Sequence, residues 1–212
     1  MDPEGTLVLI TLEGIDGSGK STLHHALRGL LADLDPLFTR EPGATWVGES
    51  VRRAIAEQTD PVTEATLFVA DHAAHLAKII RPALADGRLV ISDRYSDSRY
   101  AYQSVTLEGI IPEPEKWLRA MHNAWSIRPD KTFLCILPVD EALSRLKPQD
   151  EREHFEKGEI LEKVQTNYLR FASEDPSRFV LVDAMKEKDE IAGFVAGAIR
   201  QVLQSSRSRR RS

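Results

Sequence analysis

The sequence lacks several features that would place it outside the ordinary globular proteins. It contains a single cysteine, Cys135, which excludes a disulfide framework within the chain and favours a reducing compartment. No apolar run approaches the roughly 20 residues that a membrane helix needs. The first residues are acidic and do not read as a signal peptide. We therefore expect a cytoplasmic protein with no membrane partner.

Internal repeats and an internal linker are absent as well. The 212 residues are enough for one α/β domain with a full core, which we place at 1–204. The 33 acidic residues outnumber the 28 lysines and arginines, which gives a formal net charge of −5, and the last eight residues, 205–212, carry four arginines without an acidic residue. We interpret 205–212 as a disordered, solvated tail and expect no nucleic-acid partner.

Apolar runs rich in Val, Ile and Leu alternate with amphipathic helical patterns along the chain. The runs predict five strands, at 7–12, 37–39, 89–92, 132–137 and 179–182. Helices are predicted at 21–34, at 63–85 with a kink near Pro82, and at 188–204. This alternation predicts an α/β fold with a five-stranded parallel sheet and helices on both faces. Ligands of such sheets bind beyond the carboxyl ends of the strands.

A glycine-rich segment directly follows the first predicted strand. Residues 14–21, Gly-Ile-Asp-Gly-Ser-Gly-Lys-Ser, fit the phosphate-binding pattern G-x-x-x-x-G-K-[ST] without a mismatch. Successive backbone N–H groups and the N-terminus of the next helix would bind the phosphates of a nucleoside triphosphate. Lys20 is predicted to reach the β- and γ-phosphates and Ser21 to bind Mg²⁺. The predicted triphosphate-binding residues are Gly14, Ile15, Asp16, Gly17, Ser18, Gly19, Lys20, Ser21 and Thr22.

Further segments indicate the phosphate acceptor. They are Phe-Thr-Arg-Glu-Pro-Gly at 38–43, the helical segments 66–75 and 80–84, Ser-Asp-Arg-Tyr-Ser-Asp-Ser at 92–98, Ala-Tyr-Gln at 101–103, and the segments 151–156 and 182–184. In this order they resemble the thymidylate kinase family of P-loop nucleoside-monophosphate kinases. The resemblance covers the chain except for the arginine tail. It implies a P-loop fold with a short lid at about 147–158, ATP and dTMP as substrates, Mg²⁺ as cofactor, and a homodimer.

The resemblance also implies roles for single residues. Arg94 would grip the acceptor phosphate, and Asp93 would hold Mg²⁺ through water. Asp16 would face the 3′-hydroxyl of the acceptor sugar. Arg152 in the lid would close over the transferring group, with Arg145 as a second candidate. The predicted catalytic residues are therefore Asp16, Lys20, Arg94 and Arg152, and the predicted metal ligands are Ser21 and Asp93.

The base pocket departs from the family pattern. Phe68 matches the aromatic residue that stacks on thymine, and Tyr102 matches the one that crowds the sugar 2′ position. His72 stands where the family usually has an arginine, and Arg99 where a small residue is usual. Either Arg99 supplies the donor that position 72 has lost, or His72 alone bonds the base and Arg99 points to solvent. The predicted substrate-binding residues are Arg40, Glu41, Pro42, Phe68, His72, Arg94, Ser98, Arg99, Tyr102 and Gln103.

These patterns predict a kinase that transfers phosphate from MgATP to dTMP. A kinase for another pyrimidine deoxynucleotide, or for a deoxynucleoside, is the nearest alternative. A nucleotide-binding regulatory protein with a degraded acceptor site is the alternative from another class. His75 and His122 are interpreted as surface or helix-contact residues.

Overall fold

A computed structural model describes residues 8–146 and 153–211, with side chains as far as Ser206. Its strands form one parallel sheet in the order β2-β3-β1-β4-β5. This confirms the predicted α/β fold with a five-stranded parallel sheet. The strands are β1 (Val8–Glu13), β2 (Leu37–Arg40), β3 (Leu89–Asp93), β4 (Lys131–Ile136) and β5 (Phe179–Asp183).

Helices connect the strands and follow the last one. They are α1 (Lys20–Leu30), α2 (Trp46–Ala56), α3 (Pro61–His75), α4 (Arg81–Ala85), α5 (Ser96–Thr106), α6 (Pro114–His122), α7 (Val139–Ser144), α8 (Gly158–Glu174) and α9 (Lys188–Arg211). Among the described residues, no helix is long and apolar enough to cross a membrane. The helix α9 extends into 205–212, the segment for which the sequence predicts a disordered tail.

The centre of the sheet is covered on both faces. Every residue of β1 and β3 is buried, although neighbouring side chains in a strand point to opposite faces. The helix α1 packs against α9, and α5 packs against α6 and α8. The continuous apolar runs of the sequence are explained by this double coverage.

The long helix predicted at 63–85 contains a wider turn. A π-helical turn, Leu76–Ile80, lies between α3 and α4. Pro82 sits in the first turn of α4, where its missing N–H and its ring disturb the hydrogen bonds of the preceding turn. The predicted kink near Pro82 is therefore expressed as this π-helical turn.

The strands that carry the candidate site residues end at one level. Leu12 of β1 and Arg40 of β2 both lie opposite Asp93 of β3 in the register of the sheet. The next residues remain tied to this edge, since the N–H of Glu41 donates to the Asp93 carbonyl over 3.0 Å. The polar residues that follow β1, β2 and β3 therefore meet at one edge of the sheet.

A buried arginine ties α5 to the sheet. Arg178 binds both carboxylate oxygens of Asp97, with Nη2 to Oδ1 at 3.1 Å, and its Nη1 donates to Thr132 Oγ1 at 2.8 Å. The Thr132 hydroxyl bonds in turn to Thr11 of β1. Asp97 is 2% exposed, so its charge depends on this partner.

The substitution Arg178→Met is expected to lower the free energy of unfolding by about 3 to 5 kcal/mol, because it leaves the Asp97 carboxylate buried and unpaired. Urea denaturation measures the change. The matched control is Arg200→Met, which breaks the exposed ion pair between Arg200 and Asp33 and is expected to change stability much less. Equal losses in the two variants would show that the Arg178 pair contributes no more than an exposed one.

Candidate active site

A cleft of about 910 Å³ opens at this edge of the sheet. It runs from the loop after β1 to Phe68 of α3 and Arg99 of α5. Most of the predicted site residues line it. These are Asp16, Gly17, Ser18, Gly19, Lys20, Ser21, Thr22, Arg40, Glu41, Pro42, Phe68, Asp93, Arg94, Ser98, Arg99, Tyr102 and Gln103. Arg152 lies outside the described residues.

The loop between β1 and α1 has the backbone of a phosphate cradle. Gly17 and Gly19 have φ values of +80° and +87°, which side chains rarely tolerate. A Cβ on Gly17 would also lie 2.2 Å from the Ala142 carbonyl oxygen. The helix α1 begins directly after Gly19, so its N-terminus faces the loop. Gly14 and Ile15 do not line the cleft and contribute backbone to the loop.

Lys20 holds a buried ammonium group at the floor of the cradle. Its Nζ donates to the Ile15 carbonyl over 2.7 Å and contacts Ser18 Oγ at 3.3 Å. Burial and the nearby Arg94 charge lower the pKa of Lys20, while Asp16 and Asp93 oppose that shift. A buried cation with neutral hydrogen-bond partners is well suited to bind phosphate oxygens.

Ser21 and Asp93 fit a magnesium site. The Ser21 hydroxyl donates to Asp93 Oδ2 over 3.0 Å. The other carboxylate oxygen, Oδ1, is buried and has no hydrogen-bond partner among the described residues. Mg²⁺ prefers oxygen ligands and is usually held by one or two carboxylates together with phosphates and water. The two residues therefore suit the ion that the sequence predicts.

Arg94 joins the phosphate loop to α5. Its guanidinium pairs with the Asp16 carboxylate and donates to Ser98 Oγ over 3.1 Å. The Tyr102 hydroxyl accepts from the Asp16 N–H at 2.9 Å and donates to Asp16 Oδ2 at 2.7 Å. Burial would raise the pKa of Asp16, but the charges of Arg94 and Lys20 outweigh it and lower the pKa. Asp16 is therefore an ionised link between the two walls of the cleft.

Arg94 also has an uncommon backbone conformation. Its φ of +67° lies in the left-handed region, which residues with a side chain seldom adopt. The Arg94 N–H donates to the Leu12 carbonyl over 3.0 Å, and the Ser92 hydroxyl donates to the Arg94 carbonyl over 2.7 Å. The surrounding structure thus fixes a conformation that aims this guanidinium at the cleft.

A buried carboxyl group lies behind Arg94. Glu13 accepts hydrogen bonds from the Tyr95 N–H at 2.8 Å, from Ser98 Oγ at 2.6 Å and from the Tyr168 hydroxyl at 2.8 Å. Burial, together with the Asp97 charge, raises the pKa of Glu13 to about 7, although the hydrogen bonds from Ser98 and Tyr168 oppose the shift. Glu13 therefore titrates near neutrality in the folded protein.

Glu41 is the centre of the acceptor end of the cleft. Its carboxylate pairs with the Arg99 guanidinium and accepts from Nδ1 of His72 at 2.9 Å and of His75 at 2.5 Å. Burial would raise the pKa of Glu41, but Arg99 and His72 outweigh it and hold the pKa well below its usual value. His72, His75 and His122 are all fully buried. The surface alternative is therefore wrong for both His75 and His122, and only the helix-contact alternative remains.

His72 does not look into the cleft, which differs from the prediction. Its Nδ1 bonds to Glu41 and its Nε2 to Ser126 Oγ at 2.9 Å, so both ring nitrogens have partners inside the protein. Burial lowers the pKa of His72, although the Glu41 charge opposes the shift. Arg99 does line the cleft, so it does not point to solvent, as the alternative hypothesis required.

Several residues after β4 and β5 also line the cleft. Glu153 and Phe155 lie within the predicted lid and Ala184 within the segment 182–184, whereas Lys186 and Lys188 belong to no segment that the sequence indicated. Arg145 lines it too, and its Nη1 donates to the Ala184 carbonyl over 3.3 Å. These residues follow β4 and β5, so their position at the carboxyl ends of strands is the signal that indicates them.

A triphosphate cradle and a second polar pocket in one cleft define the class of protein as a P-loop phosphotransferase of the nucleotide-kinase type. The family model described as thymidylate kinase matches residues 12–195. The chain belongs to the thymidylate kinase family.

Curated relatives match the chain over nearly its whole length. A probable thymidylate kinase of Methanoculleus marisnigri is 67% identical over 97% of this chain and 100% of its own. One of Methanospirillum hungatei is 56% identical over 91% of this chain and 94% of its own. One of Methanocorpusculum labreanum is 55% identical over 91% of this chain and 98% of its own.

The substitution Lys20→Met is expected to raise the Kd for ATP at least ~10-fold, about 1.4 kcal/mol, because the buried cation is lost from the cradle. It is expected to keep or raise the melting temperature, since the folded protein no longer buries that charge. Calorimetric titration and thermal unfolding measure the two effects. Lys163→Met, in an exposed ion pair, is the control and should leave the Kd unchanged. An unchanged Kd for Lys20→Met would contradict the proposed cradle.

The substitution Glu13→Gln is expected to flatten the pH dependence of stability between about pH 5 and about pH 8. The folded-state pKa of about 7 lies above the usual 4.5, so this carboxyl stabilises the fold most below 4.5, and the contribution is lost as the pH rises through 7. Melting temperatures of both proteins across that range give the comparison. Parallel curves for wild type and variant would contradict the raised pKa.

Proposed function

We propose that the chain transfers the γ-phosphoryl group of MgATP to dTMP, giving dTDP and ADP. The observation that carries this proposal is the double role of Asp16. Its backbone belongs to the triphosphate loop, and its carboxylate pairs with Arg94 and Tyr102 on the opposite wall. A loop for triphosphate alone has no need of this second wall, whereas a kinase must bring two nucleotides into one cleft.

The donor half of the proposed site is the loop at 14–21. Backbone N–H groups and Lys20 would hold the β- and γ-phosphates, and Ser21 with Asp93 would hold Mg²⁺. When bound, Mg²⁺ offsets the negative charge that accumulates on the β- and γ-phosphate oxygens. Arg145 and Lys188 line the cleft toward β5, where the rest of the ATP molecule would lie.

The acceptor half is formed by α3 and α5. The planar guanidinium of Arg94 suits two-point binding of the acceptor phosphate, and Phe68 offers a ring on which the base would stack. The centre of the Tyr102 ring lies 5.0 Å from Cζ of Arg94, and Tyr102 would crowd a 2′-hydroxyl. In the transfer, an acceptor phosphate oxygen attacks the γ-phosphorus while the bond to the bridging oxygen of ADP breaks in line. Lys20 and Arg94 stabilise the charge of that arrangement from its two sides.

The lid is the remaining part of the proposal. Glu153 and Phe155 line the cleft at the end of the predicted lid at about 147–158, so closure of this segment would exclude water from the reacting groups. Arg152 would then approach the transferring group. The homodimer, the cytoplasmic location and the disordered tail stay predictions from the sequence.

A screen of the common nucleoside monophosphates with MgATP tests the proposed function. ADP release is expected with dTMP and is expected to be weaker with dUMP and dCMP. Turnover on another deoxynucleotide in place of dTMP would indicate a different kinase of the same class. Absence of turnover on every pyrimidine deoxynucleotide would overturn the proposal and favour a regulatory protein.

The substitution Arg94→Met is expected to lower dTMP-dependent turnover about 100-fold, or about 2.7 kcal/mol in the barrier, while the Kd for ATP changes little. The acceptor phosphate would lose its two-point partner, but the triphosphate loop would remain. Coupled measurement of ADP release and titration with ATP separate the effects. Arg128→Met, in an exposed ion pair outside the cleft, is the control. Full turnover in Arg94→Met would show that the reaction does not require Arg94.

A further inference from the structure

The arginine at position 99 is buried to an unusual degree for a charged residue. It is 1% exposed, and it lines the cleft. Burying a guanidinium costs several kcal/mol unless it is paired and fully hydrogen-bonded. A protein that keeps this charge at the wall of a substrate cleft therefore has to hold it firmly from behind.

Three contacts hold the Arg99 guanidinium from behind. Nη2 pairs with the Glu41 carboxylate, Nη1 donates to the Tyr95 carbonyl over 2.5 Å, and Nε donates to the Phe68 carbonyl over 3.4 Å. Two backbone carbonyls and one carboxylate fix the plane of the guanidinium. An arginine has five N–H donors, so two remain after these contacts.

Glu41 is itself fixed by two histidines. Because its carboxylate only accepts, His72 and His75 must each carry their proton on Nδ1. The Nε2 atoms then accept from the hydroxyls of Ser126 and Thr39, at 2.9 Å and 2.6 Å. The donors of the network all point toward Glu41, because the hydroxyls donate to the imidazoles, and the imidazoles and Arg99 donate to the carboxylate. None of its donors or acceptors can rotate without leaving a buried group unpaired.

The Arg99 guanidinium lies over the ring of Phe68, the predicted base platform. The Cζ atom of Arg99 lies 5.7 Å from the centre of the Phe68 ring, and both side chains line the same cleft. A base stacked on the Phe68 ring would present its polar edge to a group at that distance. We propose that Arg99 reads the acceptor base by donating to the carbonyl oxygen at pyrimidine C4, and that Glu41, His72 and His75 are positioning residues for it. This rests on the proposed function.

The chemistry of the base edge predicts which nucleotide Arg99 favours. Thymine presents an acceptor oxygen at C4, whereas cytosine presents an amino group that donates. Arg99 has only donors, so a cytosine edge would leave buried N–H groups facing N–H groups. A wrong ligand that leaves buried donors unpaired is rejected far more strongly than a wrong ligand that only loses an apolar contact. The proposed hydrogen bond from Arg99 therefore favours a base with an oxygen at C4 over a base with an amino group there, whether or not the methyl group is present.

A competing account gives Arg99 a structural role only. In that account the guanidinium neutralises Glu41 and supports α3 and α5, and the base never contacts it. Loss of Arg99 would then lower activity on all acceptors alike. The ratio of kcat/KM for two acceptors that differ in the groups at C4 and N3 of the base separates the accounts, because a general defect cancels in the ratio.

The experiment compares dTMP with 5-methyl-dCMP, which keeps the methyl group, replaces the oxygen at C4 by an amino group and turns N3 from a donor into an acceptor. The wild type is expected to favour dTMP strongly. Arg99→Met is expected to lower the ratio of kcat/KM values about 10- to 100-fold, mainly by raising KM for dTMP. Arg119→Met, on α6 and outside the cleft, is the control and should leave the ratio unchanged. An unchanged ratio in an active Arg99→Met protein would overturn the proposal.

Two further variants keep the test decisive. Arg99→Lys retains a charge opposite Glu41 but lacks the planar fork, so it should fold and should lower the ratio in the same direction. Glu41→Gln should lower the ratio less and should raise KM for dTMP more than it lowers kcat, as expected of a positioning residue. If both variants keep the wild-type ratio, the reading role is refuted. No turnover of dTMP by the wild type would instead refute the proposed function, which is a separate result.

Discussion

One carboxylate between the buried Lys20 and the partly buried Arg94 is the interaction on which the cleft depends. Lys20 and Arg94 both face the space where phosphates would bind, and each charge makes the other harder to bury. Asp16 stands between them and pairs with Arg94, while Tyr102 holds the Asp16 carboxylate in place. Two like charges in a low-dielectric site repel strongly unless such a counter-charge is present. The phosphate loop and α5 therefore depend on each other for their positions.

The acceptor end repeats this solution with other residues. Arg99 is the cation at the wall, Glu41 is the counter-charge behind it, and the histidines of α3 fix Glu41. In both places a carboxylate pairs with the cation, and both partners line the cleft. The protein's own hydrogen bonds set the direction of the positive groups. Pre-organised charges of this kind stabilise a transition state without having to reorganise during the reaction.

The sequence was sufficient to predict the sheet, the phosphate loop and the edge at which the site lies. Each of these follows from a local pattern, namely continuous apolar runs, a glycine-rich turn and polar residues after strands. The direction in which His72 points could not be predicted in the same way. Phe68 and His72 do share a face of α3, but they lie about 6 Å apart along the helix axis. That rise moves His72 out of the cleft and into the interior, where it bonds to Glu41 and Ser126.

The same limit applies to the arginine at position 99. A pattern of residues shows that an arginine is present, but only the fold shows that Glu41 lies within reach of it. Charge balance then explains why position 72 is a histidine. A second arginine there would add another buried full charge next to Arg99, with which Glu41 is already paired. A histidine protonated on Nδ1 donates the same hydrogen bond without a net charge, so the departures from the family pattern at positions 72 and 99 are two parts of one electrostatic arrangement.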